Sequence, residues 1–235
     1  LRDRAWSATL STMPDEPPAP QALRIPIDHL VLGAPEVEAG MAHAEALLGA
    51  RPVPGGRHPA YGTRNALLSL GPSTYLEVLA PDPELPAPGR GRLFDLASMV
   101  APRLVTWVAR REGLGGVPAP DLERLGLGPV GTGRRETADG GVLSWRLTDP
   151  YALPFDGAVP FLIDWGGTVH PATTAPSGGL LSGLRIEHPR APRVREVLIQ
   201  VTRPDPSGVP VEIVSAGAFR LVATVETSNG VVELG

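Results

Sequence analysis

The 235-residue chain contains no cysteine, and all 21 of its basic residues are arginine, so lysine is absent as well. Without cysteine there is no disulfide framework, no thiolate nucleophile and no thiolate-ligated zinc or iron–sulfur site. Without lysine there is no Schiff-base chemistry and no phosphate-loop lysine. The plain reading of the replacement is coding bias in a GC-rich genome, the other being a chemical demand for guanidinium groups. No apolar run approaches the roughly 18–20 residues that cross a bilayer. The N-terminal arginines are not followed by an apolar stretch of signal-peptide length, and the expectation is a cytoplasmic protein with no membrane partner. A formal net charge of −4 leaves no basic footprint for nucleic acid. The GxSxG, GxGxxG and HExxH patterns are missing, which sets aside serine-hydrolase and dinucleotide readings and implies no nucleotide or flavin.

What is present is an ordinary globular composition, 42% hydrophobic and 20% charged, with 28 glycines and 28 prolines. Such a chain is built from many short elements joined by turns. Residues 1–23 have no hydrophobic period and carry four prolines; they are expected to form a disordered leader. Next comes a strand over 25–32, then a helix beginning near Pro35 and ending at Gly49, whose apolar stripe is Val37, Met41, Ala44 and Leu48. Three strands follow near 51–54, 65–70 and 74–79, giving the order βαβββ. The same order recurs twice. The predicted organisation is a first βαβββ unit over 24–82, a linker over 83–102, a second unit over 103–166, a linker over 167–179 and a third unit over 180–235. In the second unit the helix is expected to be short, because Pro118 and Pro120 crowd its start, and a turn is expected at 139–141. The fold class is α+β: two units side by side form a curved mixed sheet whose concave face is a cavity.

Tandem units of this kind resemble the vicinal-oxygen-chelate superfamily, which includes glyoxalase I, extradiol dioxygenases and fosfomycin-resistance proteins. Particular strings are closer to its glyoxalase-like domain family: IDHLVL at 27–32, GGRHPAYGTRN at 55–65, YLEVL at 75–79, SWRL at 144–147, and PFLIDW at 160–165 followed by His170. The resemblance implies a divalent metal (Fe, Mn, Zn or Ni) with ligands on the first and last strands of paired units. Carried onto this chain, those positions are His29 and Glu77 in the first unit. In the second they are Thr106 and Ile163 or Asp164, and in the third Gly183 and Glu233. Only the first unit has ligand-type residues at both positions.

Each candidate has a plain alternative. His29 lies in an apolar strand, where an imidazole must be ligated, hydrogen-bonded or in contact with substrate. Glu77 interrupts another apolar strand and serves as ligand or general base if it faces inward. His58 sits in a Gly/Pro-rich loop and is a third ligand or a catalytic donor; the alternative is a turn in which Thr63 and Asn65 cap backbone groups. Arg64, Arg135 and Arg146 fall in or near predicted strands, and in a chain without lysine an anionic group falls to arginine, the alternative being exposed strand arginines; Arg64 and Arg146, with Asn65, are taken as substrate-binding residues. His170 is placed to close the cavity mouth against substrate. His188 is read as a turn residue. Together these point to an enzyme that isomerises, cleaves or oxygenates a small oxygenated substrate, which would be anionic if an arginine holds it. The other reading is a non-catalytic protein of the same fold that sequesters a small molecule. The superfamily's habit of completing sheets across an interface makes a homodimer one expected assembly.

Overall fold

Pro26 marks the first decision of the chain. It has no N–H to give a ladder, and it separates β1 (Leu23–Ile25) from β2 (Ile27–Gly33), which belong to different sheets. The structure is a computed structural model and describes residues 22–136 and 142–235; the expected turn at 139–141 lies outside the described residues. Leu23, assigned above to the leader, is in β1, and the rest of that leader through residue 21 is not described.

The first unit continues with α1 (Val37–Leu48), β3 (Val53–His58), β4 (Thr63–Ser69) and β5 (Tyr75–Pro81). Helix α1 begins two residues after Pro35 and ends at Gly49, whose φ of 73° is the left-handed conformation glycine adopts freely. Its expected stripe is buried, joined by Gly40. The second unit is β6 (Arg103–Arg110), α2 (Ala119–Arg124), β7 (Val130–Glu136), β8 (Val142–Thr148) and β9 (Phe161–Asp164), with α2 only six residues long. These two units form one curved eight-stranded sheet in the order β3-β4-β5-β2-β6-β9-β8-β7. In each unit the first strand lies parallel to the last, and the two first strands, β2 and β6, meet antiparallel at the centre.

The remaining segment, β10 (Leu180–His188), α3 (Ala191–Thr202), β11 (Val209–Ser215), β12 (Arg220–Thr227) and β13 (Gly230–Leu234), has the expected βαβββ order of elements. Its connections differ: the sheet runs β1-β11-β10-β12-β13, so the first strand pairs with the second and third rather than with the last. The N-terminal β1 closes its outer edge against β11.

Alternation along the strands sorts the core into two faces. Leu30, Leu32, Leu76, Val78 and Trp107 on the convex face join one continuous apolar core with α1, α3 and the five-stranded sheet. On the concave face Val31, Leu79, Val108, Leu147, Phe161 and Ile163 form a second cluster. That face carries the cavity.

Candidate functional site

Two adjacent residues of a regular strand point to opposite faces, yet His29 Nδ1 lies 2.8 Å from Asp28 Oδ1. The cause is a β-bulge. Ile27 pairs with Ala109 and His29 with Val108, so Asp28 is an extra residue in β2 and its side chain is re-aimed beside that of His29. Asp28 is completely buried and accepts hydrogen bonds from several directions: Arg110 Nε at 3.1 Å, His170 Nε2 at 3.1 Å and Trp165 Nε1 at 3.1 and 3.2 Å. Burial alone would raise its pKa. The hydrogen bonds from His170 and His29, joined in acid by the charges those rings then carry, outweigh burial and hold the carboxyl well below the usual carboxylate range.

These contacts also fix the ring tautomers. His170 Nδ1 accepts from the Ala172 N–H at 3.2 Å, so its Nε2 carries the hydrogen given to Asp28. His29 donates Nδ1–H to Asp28, which leaves the Nε2 lone pair aimed away from it. That nitrogen stands 3.7 Å from Glu77 Oε2, and the ring stacks on Tyr75 with centroids 4.6 Å apart. Burial raises the Tyr75 phenol well above its ordinary pKa, so it remains neutral beside the two carboxylates.

Glu77 comes from β5 on the same face. Its Oε1 accepts from Asn65 Nδ2 at 2.6 Å, while Asn65 Oδ1 accepts from the Gly56 N–H at 2.8 Å and meets Arg135 Nη1 at 3.5 Å. The segment expected to be a loop around His58 is the edge strand β3, pinned to β4 by this amide. Its two glycines are required by space. A Cβ on Gly55 would stand 2.4 Å from Asn65 Oδ1 and 2.7 Å from Arg135 Nη1, and one on Gly56 would stand 2.5 Å from Arg135 Cδ. His58 is partly buried at the end of β3, with Nδ1 3.1 Å from the Thr63 hydroxyl. Burial lowers its pKa; the Glu77 charge opposes this, and Arg135 and His29 add to it, so the ring is held neutral.

The cavity enclosed by these groups has a volume of about 70 Å3, at ~10–15 Å3 per water-sized occupant a space for several waters or a small organic molecule. Tyr75, Trp145, Phe161 and Trp165 supply its apolar walls, and Leu93 and Phe94 from the first linker cover one side. Phe94 holds a φ of 54°, strained for an aromatic residue.

The glyoxalase-like domain family matches residues 27–202. This chain belongs to that family. Among solved structures it is similar to methylmalonyl-CoA epimerase from Mycobacterium tuberculosis, at 17% identity over 60% of this chain and 87% of that one, TM-score 0.38. A methylmalonyl-CoA epimerase in complex with methylmalonyl-CoA and NH4+ matches at 18% identity over 64% and 99%, TM-score 0.39. A hypothetical protein from Bacillus halodurans matches at 14% identity over 58% and 90%, TM-score 0.36. No curated protein matches the chain.

For this member of the family, several expectations from the sequence need correction. The metal set His29, His58 and Glu77 is not assembled: among the described residues no group of three or more His, Asp or Glu side chains is placed to hold an ion. His29 Nε2 and Glu77 Oε2 face each other at 3.7 Å, while His58, which lines the same cavity with Nδ1 turned to Thr63, is not grouped with them. The second unit meets them with Phe161, Ile163 and the Arg135 guanidinium instead of ligands, and its Asp164 is spent on the backbone N–H groups of Leu114 and Gly166. The described residues thus bring together one imidazole nitrogen and one carboxylate oxygen, short of the three protein ligands of a typical divalent-metal site.

Arg64 and Arg146 do not reach the cavity. Arg64 lies on the convex face, 3.0 Å from Glu38 of α1, and Arg146 is exposed between the inward-facing Trp145 and Leu147. His170 stands behind His29 against Asp28 and does not close the mouth. His188 ends β10 and is buried; its Nδ1 accepts from the Arg190 N–H at 2.9 Å. Asn65 does line the cavity. The residues not singled out from sequence are Asp28 and Arg110; Arg135, weighed with Arg64 and Arg146 as an anion holder, is the one of the three that lines the cavity. The signal for Asp28 was two polar residues in succession within an apolar strand. For Arg135 it was the parity of β8: Arg135 pairs with Leu143, two residues from Trp145 on the same face.

Proposed function

We propose that the protein is an acid–base enzyme of the glyoxalase-like family that moves a proton at a carbon next to a carbonyl of a small oxygenated substrate. The observation that carries this reading is the buried Asp28–His29 pair, with His29 Nε2 presented to the cavity opposite Glu77. Asp28 sets the tautomer and compensates the charge that appears on the ring when it takes a proton. In the step proposed, the C–H bond breaks, its proton goes to His29 Nε2 and its electron pair is delocalised into the carbonyl as an enolate. With the Thr63 hydroxyl donating to its Nδ1, neutral His58 offers Nε2–H to the developing oxyanion. Glu77, oriented by Asn65, is the second proton carrier: its carboxylate takes the proton from the His29 imidazolium across the gap between them, and return of that proton to carbon, from Glu77 or directly from His29, completes an isomerisation. The apolar walls exclude water from the enolate.

Deuterium exchange in D2O, followed by proton NMR, tests this on a panel of small 2-oxo acids and hydroxyketones. The wild type is expected to exchange the proton next to the carbonyl of at least one member. His29→Gln should slow that exchange by roughly 10²–10⁴-fold. Glu77→Gln should slow return of the proton while leaving binding intact. Treatment with EDTA should leave the rate unchanged, because the proposed step passes through His29, His58 and Glu77 without a metal. Saturable binding with no exchange by the wild type would assign the cavity to sequestration and overturn the enzyme reading.

A further inference from the structure

The cavity holds a cation that the acid–base reading does not use. Arg135 comes from β7, the outer edge strand of the second unit, and lies across the Gly55-Gly56 backbone of the first, at the contact of the two edge strands. It is 8% exposed. A guanidinium buried to this degree is costly unless its charge and its five N–H donors are matched. Its contact with a side-chain acceptor is the long one to Asn65 Oδ1, 3.5 Å. No carboxylate among the described residues lies within ion-pair distance of it. Glu77 is the nearest acid by connection, but Asn65 stands between the two, its oxygen toward Arg135 and its amide nitrogen toward Glu77. The chain also makes room for this cation at a cost: any side chain at position 55 or 56 would collide with it, and glycine in a strand forgoes side-chain packing and adds conformational entropy to the unfolded chain.

We infer that Arg135 receives a carboxylate of the substrate, so that the substrate class is a small carboxylic acid whose acidic carbon is presented to His29 and Glu77. This deepens the acid–base reading and rests on it for the identity of the reacting carbon, though not for the binding of the anion. A guanidinium pairs with a carboxylate through two parallel N–H···O bonds, fixing orientation as well as charge. With the carboxylate held at the second-unit wall, the chain of the acid runs between the aromatic walls toward the first unit, where the proton acceptors are. The small volume, about 70 Å3, suits a short acid.

Binding of pyruvate, propionate and benzoate, each compared with its primary amide, tests the inference through the fluorescence of Trp145 and Trp165, which line the cavity. The wild type is expected to bind at least one acid, tenfold or more tighter than its amide, and more weakly as salt is raised. Arg135→Gln should remove that preference, and His29→Gln should keep it. Gly55→Ala should weaken acid binding by displacing the guanidinium. If Arg135→Gln does not fold, the acid-against-amide comparison on the wild type decides alone. Equal binding of acids and amides, no binding of any of the six, or an acid preference that survives Arg135→Gln would overturn the inference. Acid-selective binding without proton exchange would sink the acid–base reading and leave the carboxylate site standing. Exchange of neutral carbonyl compounds without acid preference would do the reverse.

Discussion

Asp28 is where one side chain organises the most others. It accepts from His29, Trp165, Arg110 and His170, which come from both units and from the linker after β9. Replacing it by asparagine removes the charge and turns one end of the side chain into a donor, so that Arg110 loses its counter-ion and at least one ring N–H loses its acceptor. Loss of one partner of a buried pair costs about 3–5 kcal/mol, and Asp28→Asn should lower stability by that order in urea unfolding at pH 7. The pH dependence has a definite sign. Because the folded-state pKa is depressed, the carboxylate contributes stability that is fully present above the unfolded-state value of about 3.9 and is lost progressively as pH falls toward the folded value. The wild type should therefore lose its advantage over Asp28→Asn as pH drops below about 4, and an advantage that stays constant to about pH 2 would contradict the assignment. The sequence showed His29 and Glu77 as inward candidates, since a polar residue in an apolar strand stands out by its period. It did not show that Asp28 joins them, because a bulge is a property of pairing between strands. Alternation alone argues against Arg64 beside Asn65 and against Arg146 between Trp145 and Leu147, and it favours Arg135.

At the scale of elements, α1 was the most legible part of the chain: its stripe and its terminal glycine are in the sequence pattern itself. The packing of Gly40 was not. A Cβ there would stand 2.4 Å from Val78 Cγ1 and 2.9 Å from Ala34 Cβ, so the helix seats directly on β5 and on the turn before it. Alanine is the better helix former by about 1 kcal/mol, but overpacking a tight contact costs about 1–3 kcal/mol. The contact should win. Gly40→Ala is expected to lower the thermal midpoint in a calorimetric scan, and since Val78 shares β5 with Glu77, the shift should be accompanied by slower proton exchange. A stabilised Gly40→Ala protein would mean that the helix moves off the sheet without penalty. The pattern predicts a strand only near 51–54, whereas β3 runs on through Gly55 and Gly56 to His58, for a related reason. Its glycines and prolines carry turn signals, but the glycines are there to admit Arg135 and the Asn65 amide, which is a tertiary demand.

At the scale of the molecule, the third segment looked like one more copy because order along the chain records the elements and not their partners. Its sheet is wired differently, and its strand at one edge is β1 from the other end of the chain, paired through Leu23, Arg24 and Ile25 to Val211, Pro210 and Val209. The two sheets share the convex-face core, and further ties join them: Arg111 donates to the Val201 carbonyl of α3 at 2.7 Å, Leu181 N–H to the Leu70 carbonyl at 2.9 Å, and Ser69 bridges to Ser177. Without the third segment, Leu30, Leu32, Trp107 and their neighbours would lose the apolar partners they share with α3 and the second sheet, and the part of that face not covered by α1 would be an exposed apolar patch of the kind soluble monomers avoid. A chain ended after residue 175 should therefore be insoluble or bind a hydrophobic dye without a cooperative unfolding transition, even though it retains every cavity residue described above. Adding residues 176–235 back as a separate chain should restore a soluble complex in part, limited by the loss of the covalent link. A truncated protein that is soluble, unfolds cooperatively and exchanges substrate protons would show that the first two units stand alone and that the second sheet is an appendage.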